Sequence, residues 1–452
     1  MEFLLKTDMN SENLTAPNSY LRDFTGTDTG SDNPGPTWLS DLRRSAAARF
    51  AKVGFPTRRN EEWRFTNVSP IAETPFTLAT KAQSELSTEG LSRFTYQDLA
   101  GTQMVFVNGH FASDLSSETF PDGVTVKTLA TAMADNSPLV EKHLGKSAKF
   151  DTEAFVALNT AALEDGAFVH VAAGAILTAP IHLLYISTAE AGPTVSHPRT
   201  LVIVEENSEV TLIESYAGTA GQVYFTNAVT EVVVGENSVV DHYKVQRESE
   251  KAYHIATMQV SLTRSGNFSS HSIGLGGLLV RNDMNAYLGG EGIECTLNGV
   301  YLGKDRQVID NHTSIDHAMP YCNSHEIYKG ILNDYSRGVF NGKIFVREDA
   351  QKTDAKQTNQ TLLLSPNAQI DTKPQLEIFA DDVKCTHGAT IGQLNAEALF
   401  YLRARGIKKD DALALLTYAF ASDIVSRIKV DAIRAQLDRV LLAERALEGI
   451  AG

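Results

Sequence analysis

The side chains of this sequence best suited to chemistry are a cysteine and a histidine two residues apart, Cys385 and His387. They lie in DTKPQLEIFADDVKCTHGATIG, residues 371–392, which has the character of a last extended segment. Residues two apart on a strand point to the same face, so a soft sulfur and an imidazole would stand side by side. Such a pair suits a soft metal or an iron–sulfur fragment. The alternative is a buried cysteine beside a histidine that hydrogen-bonds at a strand end, and two residues alone do not complete a metal site.

A second group of metal-binding residue types is concentrated in the stretch from residue 310 to residue 325. Its members are Asp310, His312, Asp316, His317, Cys322 and His325. Histidines and a cysteine so close together resemble a metal site, but their spacing matches no zinc pattern and no second cysteine pair accompanies them. The favoured interpretation is that these are polar strand ends and turns that satisfy backbone groups.

The composition excludes several classes of protein. Forty basic against 55 acidic residues give a net charge of −15, which argues against a nucleic-acid binder. No apolar run approaches the roughly 18 residues of a membrane helix. The first residues have no basic start and apolar core of a secretory signal, and three widely spaced cysteines indicate a reducing compartment. We therefore expect a cytoplasmic protein, and the missing G-x-x-x-x-G-K-[ST] motif predicts that it does not hydrolyse ATP.

The chain divides into four parts by pattern. Residues 1–36 are rich in small polar residues and predict a flexible tail. Residues 37–102 form an N-terminal helical region, whose first helix begins near Trp38. In residues 103–392 short apolar runs alternate with polar turns, and residues 393–452 return to a helical period. This order predicts a mainly β protein with helices at both ends.

The long central part predicts a parallel β-helix, a solenoid of stacked coils. The stretches TLVIVEENSEVTLIESYAG and TEVVVGENSVVDHYKVQ each read as a strand, a Glu-Asn-Ser turn and another strand. Asn207 and Asn237 occupy corresponding places 30 residues apart, Gly174 marks a similar turn, and the segment around Asn367 repeats the pattern. A propeller would carry blade motifs with tryptophan, and both tryptophans precede this region. A sandwich of this length would be unusual.

The C-terminal part predicts amphipathic helices. One stripe of apolar residues is formed by Leu413, Leu416, Phe420, Ile424 and Ile428. Such a stripe either docks a partner protein or covers the open end of the solenoid, and the pattern favours neither.

Three blocks of sequence resemble the SufB/SufD family of iron–sulfur cluster assembly scaffolds. They are GFPTRRNEEWRFTN (54–67), the long stretch from DNHTSIDHAMPYCNSHEIYKG to KCTHGATIGQL (310–394), and ALFYLRARGI with the helices after it. KCTHGAT resembles the SufD pattern Cys-Ser-His-Gly-Ala-Thr, whereas SufB-like chains carry a glutamate where Gly388 stands. The resemblance is thus to the SufD branch.

This resemblance implies a right-handed parallel β-helix core and a complex of one SufB, one SufD and two copies of the ATPase SufC. SufB and SufD would pair through the ends of their β-helices, and SufC would dock on the C-terminal helices. His387 matches the family histidine thought to hold the nascent cluster, so iron or a cluster would rest only transiently at the partner interface, with no stably bound cofactor. Cys385 would be a supporting thiol with its pKa lowered with help from Lys384.

Two functions from different classes follow. The first is a non-catalytic assembly scaffold opened by an ATPase partner. The second is a β-helix polysaccharide hydrolase or lyase, with Asp381 and Asp382, or Asp310 and Asp316, as paired carboxylates. The missing export signal argues against an extracellular sugar enzyme, so we expect the scaffold.

Overall fold

The structure is a computed structural model that describes residues 36–78, 86–188 and 192–442. The predicted flexible tail, apart from residue 36, and the last ten residues of the C-terminal part lie outside these ranges. The described helices are α1 (Thr37–Val53), α2 (Ser69–Glu73), α3 (Thr88–Leu91), α4 (Leu129–Ala134), α5 (Pro138–His143), α6 (Ala154–Ala161), α7 (Ala396–Ala404), α8 (Lys409–Val425) and α9 (Asp431–Leu442). Short 3-10 helices lie at Glu61–Trp63 and Ser113–Leu115.

The strands carry most of the chain. They are β1 (Thr77–Leu78), β2 (Thr102–Val107), β3 (His110–Phe111), β4 (Val124–Thr128), β5 (Gly166–Val171), β6 (Ile181–Ser187), β7 (Thr194–Ser196), β8 (Arg199–Val204), β9 (Glu209–Gly218), β10 (Tyr224–Val234), β11 (Val239–Arg247), β12 (Tyr253–Leu262), β13 (Asn267–Gly274), β14 (Leu279–Leu288), β15 (Glu294–Gly303), β16 (Val308–His317), β17 (Asn323–Leu332), β18 (Arg337–Val346), β19 (Asp354–Leu363), β20 (Gln369–Ile378) and β21 (Lys384–Gly392).

These strands form a parallel β-solenoid of about seven coils, so the predicted β-helix is confirmed. From β8 onward successive strands alternate between two sheets: even-numbered strands build sheet A, which ends at β20, and odd-numbered strands build sheet B, which ends at β21. The register is continuous, as Val239 lies beside Asn267 and Asn267 beside Glu294. Within the part read as strands, helices α4, α5 and α6 form an insertion that the pattern did not predict.

One corner of the solenoid is built from residues in the left-handed backbone region. Asn207 and Asn237 have φ values of 57° and 56°, and Gly174 has 73°. The amide of Asn207 donates to the carbonyl of Glu236 in the next coil at 2.8 Å, so this corner links successive coils. The predicted repeat is therefore a structural one. Asn367 differs, because it precedes a strand of sheet A and belongs to the opposite corner.

Each outer face of the solenoid is covered in part. The outer face of sheet A packs against α1, α6 and the segment around Trp63. The outer face of sheet B packs against α8 and α9 through an apolar cluster that includes Ile424, Ile428 and Leu437. The interior holds a separate apolar core. Because strands with two covered faces bury nearly every side chain, inner and outer positions look alike in the sequence. Among the described residues, none of the helices has the length and apolar character needed to span a bilayer.

Candidate functional site

Cys385 and His387 lie on β21, the last strand of sheet B, and both face the inside of the solenoid. In the register Cys385 lies beside Ala355 and His387 beside Gln357, both of which are buried on β19. The alternation of a strand then places Lys384 on the outer face. Among the described residues no coil follows β21, and His387 is exposed at the open end of the interior.

Cys385 is the more deeply placed of the two. It packs at the edge of a small apolar cluster with Ile344 and Ala355, and burial raises the pKa of its thiol. This corrects the expectation of a thiol activated by Lys384, because Lys384 is on the other face and the Asp354 carboxylate adds to burial in disfavouring the thiolate. Of the two side chains, His387 is thus the more exposed, and it lies at the open end.

The open end of the solenoid exposes apolar side chains. Ile378, Phe379 and Ile391 on or beside the last two strands are exposed apolar residues. The C-terminal helices do not cover this end, because α8 and α9 lie against the side of sheet B. In the described part of the chain β20 pairs with β18 and β21 with β19, so the other edge of each strand presents unpaired backbone groups, which proteins normally cover.

The second group of candidate residues is dispersed over different surfaces. Asp310 and His312 lie on the outer face of sheet A, where His312 Nε2 is 3.0 Å from Asp310 Oδ1. His317 faces inward and hydrogen-bonds Ser324 at 2.9 Å. Cys322 is buried and donates to the carbonyl of Gly290, and His325 alternates to the outer face of sheet B. Among the residues that the structure describes, no three His, Cys, Asp or Glu side chains are grouped to hold a metal ion.

Asp310 and His312 belong instead to an ion-pair network under the N-terminal segment. Arg281 Nη1 is 3.1 Å from Asp310 Oδ2, and Arg281 Nη2 is 2.8 Å from Asp283 Oδ1. His312 Nδ1 lies 3.4 Å from a carboxylate oxygen of Glu62. The block GFPTRRNEEWRFTN therefore serves to fix the N-terminal segment on sheet A.

Three of the four carboxylates of the alternative sugar-enzyme hypothesis are paired with a cation. Asp310 binds Arg281, and Asp316 accepts two hydrogen bonds from Arg347. Asp382 pairs with Lys352 in an exposed turn, and Asp381 is exposed beside it. Carboxylates held by such partners do not form the acid and base pair that glycoside hydrolysis requires.

The predicted docking stripe splits between two environments. Ile424 and Ile428 are buried against the outer face of sheet B, so they hold the helices to the solenoid and are not available to a partner. Leu413, Leu416 and Phe420 are partly exposed, and Phe420 lies against Lys329 with its Nζ 4.8 Å from the ring centre. The side chain of Ile424 faces the outer side of sheet B because one face of α8 lies against that sheet.

The sequence reasoning missed two features of this region. On α7, Phe400 and Tyr401 are 75% and 56% exposed, and no residue of that helix is buried. In the interior, Glu326 and Gln357 continue the column of His387. The exposed aromatic pair was visible in ALFYLRARGI, but the inward direction of Glu326 was not, since polar residues also occur on the covered outer faces.

Comparison with known proteins identifies the family. The SufBD core domain of the SUF system for FeS cluster assembly matches residues 185–420, and the SufBD protein N-terminal region matches residues 15–183. An iron–sulfur cluster assembly SufBD family protein of Synechocystis is 35% identical over 408 residues, which cover 88% of this chain and 89% of the relative.

Two proteins named SufD are also similar. The iron–sulfur cluster assembly protein SufD of Escherichia coli is 31% identical over 391 residues, covering 86% of this chain and 89% of that protein. The SufD of Bacillus subtilis is 26% identical and covers 95% of this chain and 98% of its own length. With the family core matched over the solenoid, this chain belongs to the SufBD family of iron–sulfur cluster assembly proteins and is SufD-like.

Proposed function

We propose that this chain is a non-catalytic scaffold subunit of a SufBCD-type complex that assembles iron–sulfur clusters. In this proposal the open end of the solenoid pairs with a SufB-like subunit, and a SufC-like ATPase docks on the C-terminal helices. Iron or a cluster fragment is then the cargo and is held only transiently. The observation that carries the proposal is the position of His387, exposed on the inner face of the last coil.

The chain by itself supplies an incomplete site. His387 is one imidazole, and Cys385 beside it is a thiol whose pKa is raised. An iron–sulfur species needs further sulfur or nitrogen donors. A partner seated on the edges of β20 and β21 would bring its own residues opposite His387, and it would cover the exposed Phe379 and Ile391.

The ATPase docking surface is proposed on α7 and the exposed part of α8. Phe400 and Tyr401 form an exposed aromatic pair, and Leu415 on α8 is also exposed. Aromatic residues with large exposed area are typical anchors of protein interfaces. Leu413, Leu416 and Phe420 lie on the same helix as Leu415 and are partly exposed, although Phe420 also packs against the apolar cluster on sheet B. The described cysteines are all free, which suits the cytoplasm that we propose as the compartment.

The first experiment tests the ligand. His387→Ala is expected to abolish cluster maturation in cells that depend on this chain, while the protein folds and its complex still forms. His325→Ala is the matched control, because His325 lies on β17 in the same sheet but points to its outer face, away from the solenoid interior that His387 faces. Normal growth of the His387→Ala strain under iron limitation would remove His387 from the site.

The second experiment tests the docking surface. The double substitution Phe400→Asp and Tyr401→Asp is expected to lose co-purification of the ATPase without unfolding the chain, because both residues are exposed. Ile176→Asp is the control, since Ile176 is 68% exposed but lies in the first coils. Stoichiometric ATPase binding by the double variant would place docking elsewhere. These substitutions are preferable to deleting residues 408–452, which would also uncover the apolar face of sheet B.

A further inference from the structure

A cavity of about 430 Å³ lies on the first coils, between the segment that begins with α3 and the outer face of sheet B. Its rim includes the exposed residues Thr88 and Ala100, and its floor includes the buried Leu91, Tyr96 and His182. Small-molecule sites in proteins typically have volumes of roughly 300–1,000 Å³. The cavity is remote from the open end, because β2 and β6 stand near one end of sheet B and β21 at the other.

The floor of the cavity is built around His182. Ile181 and Leu183 belong to the interior core, so the alternation of β6 turns His182 to the outer face. His182 is 2% exposed, and its Nε2 lies 2.9 Å from Ser215 Oγ. The same Ser215 oxygen lies 3.1 Å from Tyr96 Oη. These hydrogen bonds fix the imidazole in one position under the cavity.

Three polar side chains of the lining keep hydrogen-bonding capacity for a ligand. Among the described residues Nδ1 of His182 has no partner, and burial lowers the pKa of this imidazole to about 3, so it is neutral. Gln103 donates its Nε2 to the carbonyl of Leu115 at 3.0 Å, which leaves its side-chain oxygen as an acceptor. Ser117 Oγ accepts from the amide of Gln103 at 2.9 Å, which leaves its O–H as a donor. Donors and acceptors side by side suit hydroxyl groups, each of which does both.

Charge excludes ionic ligands. Among the residues that the structure describes, no Asp, Glu, Lys or Arg lines the cavity. Arg247 is close, but its guanidinium lies over the ring of Tyr96, 5.0 Å from the ring centre, and donates to the carbonyl of Phe94 at 2.6 Å. An ionic ligand would lose its hydration here without gaining a counter-ion. The missing carboxylates also mean that the cavity would bind a sugar without hydrolysing it.

The shape of the lining argues against a planar heterocycle. Tyr96 is the one aromatic ring besides the imidazole in the described lining, and it is only 7% exposed. Its ring already contacts His182, with the centres 5.5 Å apart, and Arg247. A nucleobase or a similar flat ring would therefore find little aromatic surface on which to stack. Leu91 and Leu99 add a small apolar wall, which fits the C–H groups of a polyol.

We propose that this cavity binds a neutral polyhydroxylated molecule of about the size of a monosaccharide, held by His182 Nδ1, the Gln103 side-chain oxygen and the Ser117 hydroxyl. The proposal is independent of the proposed function, because the cavity shares no residue with the open end or with the ATPase docking surface. It adds a ligand site on the first coils of a protein whose cargo is expected at the last coil.

Ligand-observed NMR with the full chain tests the ligand class. D-Glucose, D-galactose and myo-inositol are the neutral probes, and D-glucuronate and D-glucosamine are charged analogues of the same size. At least one neutral probe is expected to bind saturably. Both charged analogues should bind about tenfold more weakly or not at all, because their charge would be buried without a partner. No saturable binding of any neutral probe, or tighter binding of a charged analogue, would overturn the proposal.

Two variants test the place of binding. Ala100→Trp puts a large ring at the exposed rim and should abolish binding of the neutral probe, whereas Gln97→Trp, on the same segment but outside the lining, should leave it unchanged. His182→Phe keeps the shape of the floor without its Nδ1 and should weaken binding at least about tenfold. Undiminished binding by Ala100→Trp would place the ligand elsewhere and refute the cavity. His387→Ala should bind the probe like the wild type, so failure of the cluster site and failure of this site are distinguishable.

Discussion

The guanidinium carbon of Arg281 lies 3.8 Å from the centre of the Trp63 ring, and this contact joins the N-terminal segment to sheet A. On its other sides the same guanidinium binds Asp283 and Asp310, and Arg281 is 2% exposed. A cation–π contact that excludes water in this way strengthens the neighbouring ion pairs. The segment is thereby fixed across the strands that lead to the last coils.

Removing Arg281 should destabilise the protein strongly. Arg281→Gln removes the cation that Asp283 and the almost completely buried Asp310 share, which leaves Asp310 paired with His312 alone among the described residues, and loss of one partner of a buried ion pair costs roughly 3–5 kcal/mol. Urea unfolding measures the change. Arg264→Gln is the control, because Arg264 and its partner Glu236 are exposed, and such pairs contribute less than about 1 kcal/mol. Equal losses in the two variants would contradict the role of the network.

Stability should fall at alkaline pH because of His312. Burial opposes its charged form, but the carboxylate of Asp310 outweighs this and raises the pKa of His312 to about 9, from an ordinary 6.5. Its contribution is then complete below pH 6.5 and is lost as pH rises through about 9. Relative to His312→Gln, the wild type should lose roughly 3 kcal/mol over this window. Parallel stability curves of wild type and variant between pH 6 and 10 would contradict it.

The C-terminal helices should contribute to the stability of the solenoid. Ile428 is completely buried against sheet B, so Ile428→Ala should lower the free energy of unfolding by roughly 2–4 kcal/mol. Leu415→Ala, on the exposed side of α8, should change it by less than about 0.5 kcal/mol. If Ile428→Ala were as mild as Leu415→Ala, the helices would not be held to the solenoid as described.

The sequence predicts the solenoid well because its corners impose a local signal. Asn207 and Asn237 stand in the left-handed region at the same corner, and short strands between polar turns mark each coil. The same signal cannot tell which strand face is inside. His312 and His317 are five residues apart on one strand, an odd number, so they point to opposite faces. His312 forms an ion pair on the outer face, and His317 forms a hydrogen bond on the inner face.

The spacing of Cys385 and His387 located the candidate site, because two residues that are two positions apart on one strand point to the same face. Its environment was not predictable, because the pKa of Cys385 depends on Ile344 and Asp354, which come from other coils. Glu326 was missed for the same reason. Among the described residues Glu326 has no cationic partner. That depends on the residues of β15, β17 and β19, which are neighbours in the sheet but not consecutive in the sequence.

The corner asparagines make a last prediction, about the backbone. Asn237 has a φ of 56°, which costs most residues roughly 1–2 kcal/mol but costs glycine little. Asn237→Ala should therefore lower stability by about 1 kcal/mol, whereas Asn237→Gly should stay within about 0.5 kcal/mol of the wild type. Thermal unfolding measures both changes. Asn367→Ala is the control, because Asn367 turns the chain at the opposite corner without a left-handed φ and should be nearly neutral. A loss in Asn237→Gly as large as that in Asn237→Ala would show that the Asn237 side chain, which donates to Asn207 Oδ1 at 3.3 Å, matters more than the backbone conformation it permits.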